Sequence, residues 1–353
     1  MIRCFVTSTI ESGNSPGGGR RSARQILTDS LLLAEQTTTE VKLVDDSRKA
    51  DVVVYAESHN DELEQNDAVH RVIRMPEYQE HRQKAVVHSG KDIPRPLVPG
   101  LYPSIPEWLA KVLACQGSPY LVDPNPFLGM GESWHGRVDK LASFLGHCTG
   151  KPIRERLVCE ALRVSWSDIS IKDTSDAFIK TLRNGDDDGH NALKRLFVID
   201  MLSAKFALCL KGIGLSSFRI FEAMQLGRAP IIIADGWSAP PGPDWGSFSI
   251  RIRERDLDHL PDILREREPE WKQRGELARG AWKKFYSPDR LGITIVQQAH
   301  QLLNSSNSHR ALRSALANAY VQGPRRAAIM KRKLSQKLGR VLSRVRATKD
   351  LSS

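Results

Sequence analysis

Apolar residues along the chain alternate between short, nearly continuous runs and longer stretches in which they recur at helical spacing. In the first third, "IRCFVTST" (2–9), "VKLVDD", "DVVVYAE" (51–57) and "KAVVHSG" (84–90) predict strands, and "ARQILTDSLLLAEQ" after the first of them predicts a helix. A second series opens at "ASFLGHC" (142–148), a strand, followed by a helix in "RERLVCEALR", a polar loop in "RNGDDDGH" and a helix in "ALKRLFVIDMLSA". Then come the strand "KFALCL", the turn "KGIGL", a helix from Ser216 or Ser217 to Leu226 stopped by Gly227, and the strand "APIIIAD". "FSIRI" (248–252) predicts another strand, and "LDHLPDILRER" a helix capped by Asp256 or Asp258; after Trp282 the chain reads as helical and increasingly basic. Strands alternating with helices imply parallel, doubly wound sheets.

The expected fold is therefore α/β, with two Rossmann-like doubly wound domains over 1–135 and 136–308 and a basic helical tail over 309–353. The boundary near 135 follows the Pro-, Gly- and Trp-containing "GSPYLVDPNPFLGMGESWHG". A chain of 353 residues suits two domains of ordinary size, and two domains imply a cleft between them.

Composition narrows the classes. With 40% hydrophobic and 26% charged residues the chain reads as a soluble globular protein, and no run of about 18 apolar residues is present to span a bilayer. "MIRCFVTSTI" lacks the apolar core and cleavage site of a secretory signal, so the expected location is cytoplasmic. Five scattered cysteines, with no C-x-x-C pair, predict reduced and mostly buried thiols.

The net charge of +11 is not spread over the chain. Residues 309–353 hold twelve Lys or Arg and one acidic residue, Asp350, which accounts for the whole excess and leaves the body neutral. Within that tail Leu334, Leu338, Val341, Leu342 and Val345 form one apolar stripe on an otherwise basic helix. Residues 325–349 are thus expected on an anionic membrane surface, such as the inner face of a plasma membrane, the alternative being a solvated helix. Nucleic acid is disfavoured as a partner because the tail offers no stacking aromatic apart from Tyr320.

The densest candidate chemistry lies in Lys205–Trp237. A helix that opens at the carboxyl end of a parallel strand aims free N–H groups and a positive dipole end at the crevice, which makes an anion site. Gly212 and Gly214 allow the tight turn, and Lys211, the hydroxyls of Ser216 and Ser217, and Arg219 add donors at the same end. Glu222, one turn on, can accept from ribose hydroxyls, or it can pair with Arg219. Diphosphate plus ribose means a nucleotide.

This stretch, "FALCLKGIGLSSFRIFEAMQLGRAPIIIADGW", resembles the signature of the exostosin family of glycosyltransferases, "FxLCPxGxGxSS" leading into "RxxEAxxxGxxPVIxxD". "ASFLGHCTGKPIRERLV" and "GPDWGSFSIRIRERDLDHLPDILRE" are similar to the family's opening strand and its next strand and helix, so the resemblance covers 142–266; Leu210 stands where the family usually has proline. The resemblance implies a GT-B architecture and an inverting, metal-independent transfer from a nucleotide-sugar, more specifically a uridine diphosphate sugar. No cofactor or metal is expected. It implies that Ser216, Ser217 and Arg219 hold the diphosphate, that Glu222 holds ribose or sugar hydroxyls, and that Arg154 and Asp235 face the cleft. Inversion needs a group to take the acceptor's proton; Glu57, His59, His88 and Asp92, after strands of the first domain, are the candidates.

Two other motifs carry less. Asp186 and Asp188 have the D-x-D spacing of a divalent-cation site but sit in a polar linker, and "PGGGRRS" (16–22) lacks the ending of a P-loop and is expected to line the acceptor side as a loop. The expected function is transfer of a sugar to a glycan or lipid-linked acceptor in bacterial surface polysaccharide synthesis. The competing reading is a non-catalytic basic α/β protein that binds nucleic acid or a membrane surface through its tail.

Overall fold

The computed structural model describes residues 1–9, 21–57 and 68–305. His59, most of "PGGGRRS" and the whole basic tail with its apolar stripe lie outside the described residues.

The first domain is a six-stranded parallel sheet built from β1 (Ile2–Thr7), β2 (Val41–Leu43), β3 (Val52–Glu57), β4 (Ala85–Ser89), β5 (Gly100–Leu101) and β6 (Cys115–Gln116), in the order β2-β1-β3-β4-β5-β6. Every residue of β3 and β4 is buried, as expected of central parallel strands covered by helices on both faces. The second domain is a five-stranded parallel sheet of β7 (Lys140–Gly146), β8 (Ile169–Asp173), β9 (Ala204–Leu210), β10 (Ala229–Ile233) and β11 (Ile250–Arg251), in the order β11-β10-β9-β7-β8. Strand β8 is an edge strand in which polar residues interrupt the apolar ones, and no apolar run announces it.

In each sheet the chain lays its second strand on one side of the first and continues on the other. This creates a switch point between β1 and β3 in one sheet and between β7 and β9 in the other, where an open α/β sheet leaves a crevice outside its carboxyl edge. The turn after β9 reaches the loops that follow β4 and β5, because a side chain at Gly214 would run into Ser104 Oγ and would lie 2.8 Å from the Asp92 carbonyl. The carboxyl edges of the two sheets therefore face each other.

A seam at residues 103–107 joins the domains. Trp237 Nε1 donates to Pro103 O (3.2 Å), Ser238 N to Ile105 O (3.3 Å) and Glu107 N to Gly236 O (2.7 Å). Leu121 packs in the first core and Leu128 in the second, so the chain crosses between these two residues, ahead of the expected boundary at 135.

The helix Leu291–Ser305, inside the range 136–308 expected to be the second domain, packs on the first. Its Ile293, Ile295, Val296, Ala299 and Leu302 share a core with β1, β3 and the helix Ala23–Glu35. Periodicity identifies such a helix but not the core that receives it; each buried aliphatic side chain then contributes roughly 1.5–3 kcal/mol to holding it there.

Two local expectations change. The polar stretch 183–190 is mainly a helix start: Asp186 accepts from Gly189 N (2.8 Å) and caps Asp187–Leu202, with Asp187 and Asp188 in the first turn. Asp256 and Asp258 do not cap the helix Leu260–Arg267; both lie in a preceding 3-10 turn, where Asp256 binds Arg253. All five cysteines are free thiols, and only Cys159 is exposed.

Candidate donor site at the second switch point

The helix Phe218–Gln225 opens at the crevice, with Ser217 as its N-cap and Gly227 in the left-handed region just past its end. The Ser217 hydroxyl makes no capping bond, and the Ser216 hydroxyl, in a residue 4% exposed, sits beside the Tyr120 hydroxyl. Neither oxygen is consumed as a cap of this helix.

Two arginines lie beneath this end. Arg154, from the helix Pro152–Val164, sends Nε to Lys211 O (3.0 Å), Nη1 to His147 O (3.0 Å) and Nη2 to Leu210 O (3.1 Å), stapling the ends of β7 and β9. Arg219 sends Nη2 to Leu145 O (2.8 Å) and leaves its buried Nε without a partner among the described residues. Both guanidinium groups lie over the Phe144 ring, at 5.6 and 5.0 Å from its centroid, and a side chain at Gly146 would collide with Arg219.

Two neighbouring buried cations repel each other and lose hydration. Burial and the Arg219 charge bring Arg154 down to about 9, and burial lowers Arg219 despite the opposing pull of Glu222. Burial also raises Glu222 to about 7 against the attraction of Arg219. Among the described residues Glu222 and Arg219 form no direct ion pair, so the simple pairing considered from the sequence is not made. Asp92, across the seam, also attracts Arg154, and the two guanidinium groups still repel each other at the crevice.

The rim is set differently. Lys211 pairs with Glu254 Oε1 (2.7 Å), a residue that sequence reasoning missed, and the same oxygen accepts from Asp235 N (2.9 Å) while Asp235 Oδ1 accepts from Glu254 N (3.1 Å). Asp235 is exposed at the end of β10, so of the expected donor-side residues Lys211, Gly214, Ser216, Ser217, Arg219 and Glu222 gather with Arg154 around one turn while Asp235 sits at the rim.

The three described candidate bases part company. Glu57 lies buried at the β1/β3 switch point, where it accepts from Thr9 N (2.8 Å), Thr9 Oγ1 (2.8 Å) and Ser8 Oγ (3.3 Å), and burial raises its pKa against these bonds. His88 is fully buried, with Nε2 facing Pro119 O (2.9 Å) and Ser118 Oγ (3.2 Å), and burial lowers it to about 4. Asp92 faces the turn of the second domain beside Gly214 and accepts from Tyr120 Oη (3.3 Å).

Residues 118–267 match the family profile described as the Exostosin GT47 domain, a span that contains β7 to β11 and every donor-side residue named above. Over that span, less than half of the chain, the protein is similar to an exostosin domain. Over 69 residues it is 38% identical to an exostosin-1 homolog of Caenorhabditis elegans, covering 18% of each chain, and over 67 residues it is 37% identical to a probable glycosyltransferase of Arabidopsis thaliana, covering 18% of this chain and 13% of that one. The match thus spans less than a fifth of the length of these curated relatives. Among solved structures, HepE of Anabaena in complex with UDP-glucose superposes with a TM-score of 0.37 and 12% identity, covering 86% of this chain and 100% of that one. The matched span holds the second sheet, which with the facing first domain forms the two-sheet arrangement expected of GT-B. Among the described residues no group of three or more His, Cys, Asp or Glu is disposed to hold a metal, and no helix is long and apolar enough to cross a membrane.

Proposed function

We propose that the protein transfers a sugar from a nucleoside diphosphate donor, most simply a uridine diphosphate sugar, to a hydroxyl of a glycan or lipid-linked acceptor. One observation carries this reading: a buried and a part-buried guanidinium group side by side, repelling each other beneath the N-terminus of a helix, at the switch point of the sheet that the exostosin profile matches. The similarity to an exostosin-1 homolog and to a probable glycosyltransferase supports it.

The chemistry follows from those groups. The acceptor oxygen attacks the anomeric carbon, the bond from that carbon to the diphosphate oxygen breaks, and its electron pair stays on the departing diphosphate. Arg219, Lys211, the Ser216 and Ser217 hydroxyls and the helix amides would stabilise that charge, while Arg154 keeps the strand ends in place. Fixed cations can fill the part that a metal ion plays elsewhere, so the reaction proposed is metal-independent. A single displacement inverts the centre and needs a base on the opposite wall; the position of Asp92 across from Gly214 supports it over Glu57 and His88, which are sequestered in their own domain. The proposal extends to a cytoplasmic enzyme of bacterial surface polysaccharide synthesis, held on an anionic membrane by residues 325–349.

Thermal unfolding with and without millimolar uridine diphosphate in EDTA tests the donor site. The expected result is a rise of several degrees for the native chain, and none for a folded Arg219→Ala variant. Equal behaviour of the two, or no rise at all, would leave the α/β body as a scaffold for its basic tail.

A further inference from the structure

A chain of hydrogen bonds, with the Ser216 hydroxyl beside Tyr120 as a branch, crosses the seam between the domains and ends on two groups already named. Ser216 N donates to Ser104 Oγ (3.2 Å), Ser104 Oγ lies 2.9 Å from Tyr120 Oη, and Tyr120 Oη donates to Asp92 Oδ1 (3.3 Å). The direction is fixed by its ends. An amide can only donate and a carboxylate only accept, so the Tyr120 proton goes to Asp92, the Ser104 proton goes to Tyr120, and the Ser104 oxygen is left to accept from Ser216. Aligned bonds of this kind polarise and strengthen one another. Ser104, Tyr120 and Ser216 are all buried, and Tyr120 is further fixed by an edge contact on Phe218, with ring centroids 4.4 Å apart.

The amide at the head of this chain belongs to the turn that leads into the helix Phe218–Gln225, one residue before its N-cap Ser217. We propose that Ser104 competes with the donor diphosphate for the Ser216 amide, so that donor binding weakens the polarised Ser104–Tyr120–Asp92 chain and readies Asp92 for the acceptor. This rests on the donor reading above. Ser104 and Tyr120 are then positioning residues that couple the two walls. The coupling has a physical basis: the amide proton cannot serve both oxygens at full strength, and a Ser104 hydroxyl that loses it polarises Tyr120 less. It orders the reaction, with the donor seated before the acceptor is activated.

The test is isothermal titration of the full chain with uridine diphosphate in EDTA, comparing native protein with Ser104→Ala and Tyr120→Phe. Removing the competing oxygen should tighten binding about three- to tenfold, and removing its polarising partner about twofold in the same direction. A seam contact with no competing role predicts unchanged or weaker binding, because loosening the interface gives a bound ligand no advantage. If the native chain binds and neither folded variant binds more tightly, the competition is refuted and the donor reading stands. If the native chain itself does not bind, the donor reading falls and this inference falls with it. Should Ser104→Ala fail to unfold cooperatively, Tyr120→Phe decides alone.

Discussion

At the switch point of each sheet the same parallel topology opens a crevice, and the two crevices are filled with opposite charge. Between β1 and β3 stands a carboxylate, Glu57, enclosed by donors from Ser8 and Thr9, with Arg71 3.8 Å away. Between β7 and β9 stand two guanidinium groups whose bonds go to carbonyl oxygens; Glu222 attracts Arg219, and Asp92 of the first domain attracts Arg154. The first crevice satisfies its charge inside its own domain; the second draws part of its counter-charge from across the seam. The topology gives each domain a place to bind, and the residues at the strand ends decide what can bind there.

The largest effect should come from Arg154, on which that difference depends most. Arg154→Met would orphan three carbonyl groups at the strand ends, each costing about 1–3 kcal/mol, while relieving the repulsion between the two cations. The orphaned carbonyls should win, giving a net loss of about 3 kcal/mol in chemical denaturation and no stabilisation by uridine diphosphate. A variant as stable as the native chain would show that the repulsion cancels the staple.

Proton linkage sharpens the contrast next, because the two domains should respond to pH in opposite senses. His88 in the first domain is held down to about 4 from 6.5, so the unfolded chain takes up its proton first and stability is lost as pH falls from about 6.5 to 4. Glu222 in the second is held up to about 7 from 4.5, so the native chain keeps its proton longer and stability is lost as pH rises from about 4.5 to 7. His88→Gln should flatten the acid side of the stability profile and Glu222→Gln the neutral side, each by at most roughly 3 kcal/mol. Denaturation midpoints across pH 4 to 8 read both. Parallel changes in the two variants would remove the asymmetry.

Much of this architecture is legible in the sequence because central parallel strands are apolar throughout: β1, β3, β4, β7, β9 and β10 all stand out as runs. Strands β5 and β6 have two residues each and β8 carries polar side chains at a sheet edge, so none leaves a periodic signal. The donor turn is legible for a different reason, since Gly, Ser and Arg at the end of a strand have few purposes in combination. What Arg154 binds is not, because its partners are backbone carbonyls that any residue supplies. Glu254 is hidden likewise: it lies 43 residues beyond Lys211 in a stretch rich in charge, and only the pairing of β10 with β11 brings it back to the β9 turn. Ser104 and Tyr120 matter only once two domains meet.

Glu254 provides the smallest and most discriminating prediction. Its Oε1 holds Lys211 Nζ at 2.7 Å and accepts from Asp235 N at 2.9 Å, with both side chains of the ion pair roughly a quarter exposed. A pair of that exposure contributes on the order of 1 kcal/mol at most, so Glu254→Gln should barely change stability, and the glutamine oxygen can still accept from Asp235. Lys211 loses its counter-charge, however, and becomes free to turn toward an anion in the crevice. Uridine diphosphate should then bind about two- to fivefold more tightly at low ionic strength, with the gain fading as salt is added. Weaker binding would mean that Glu254 itself accepts from the ligand, and the rim would then belong to the sugar and ribose rather than to the diphosphate.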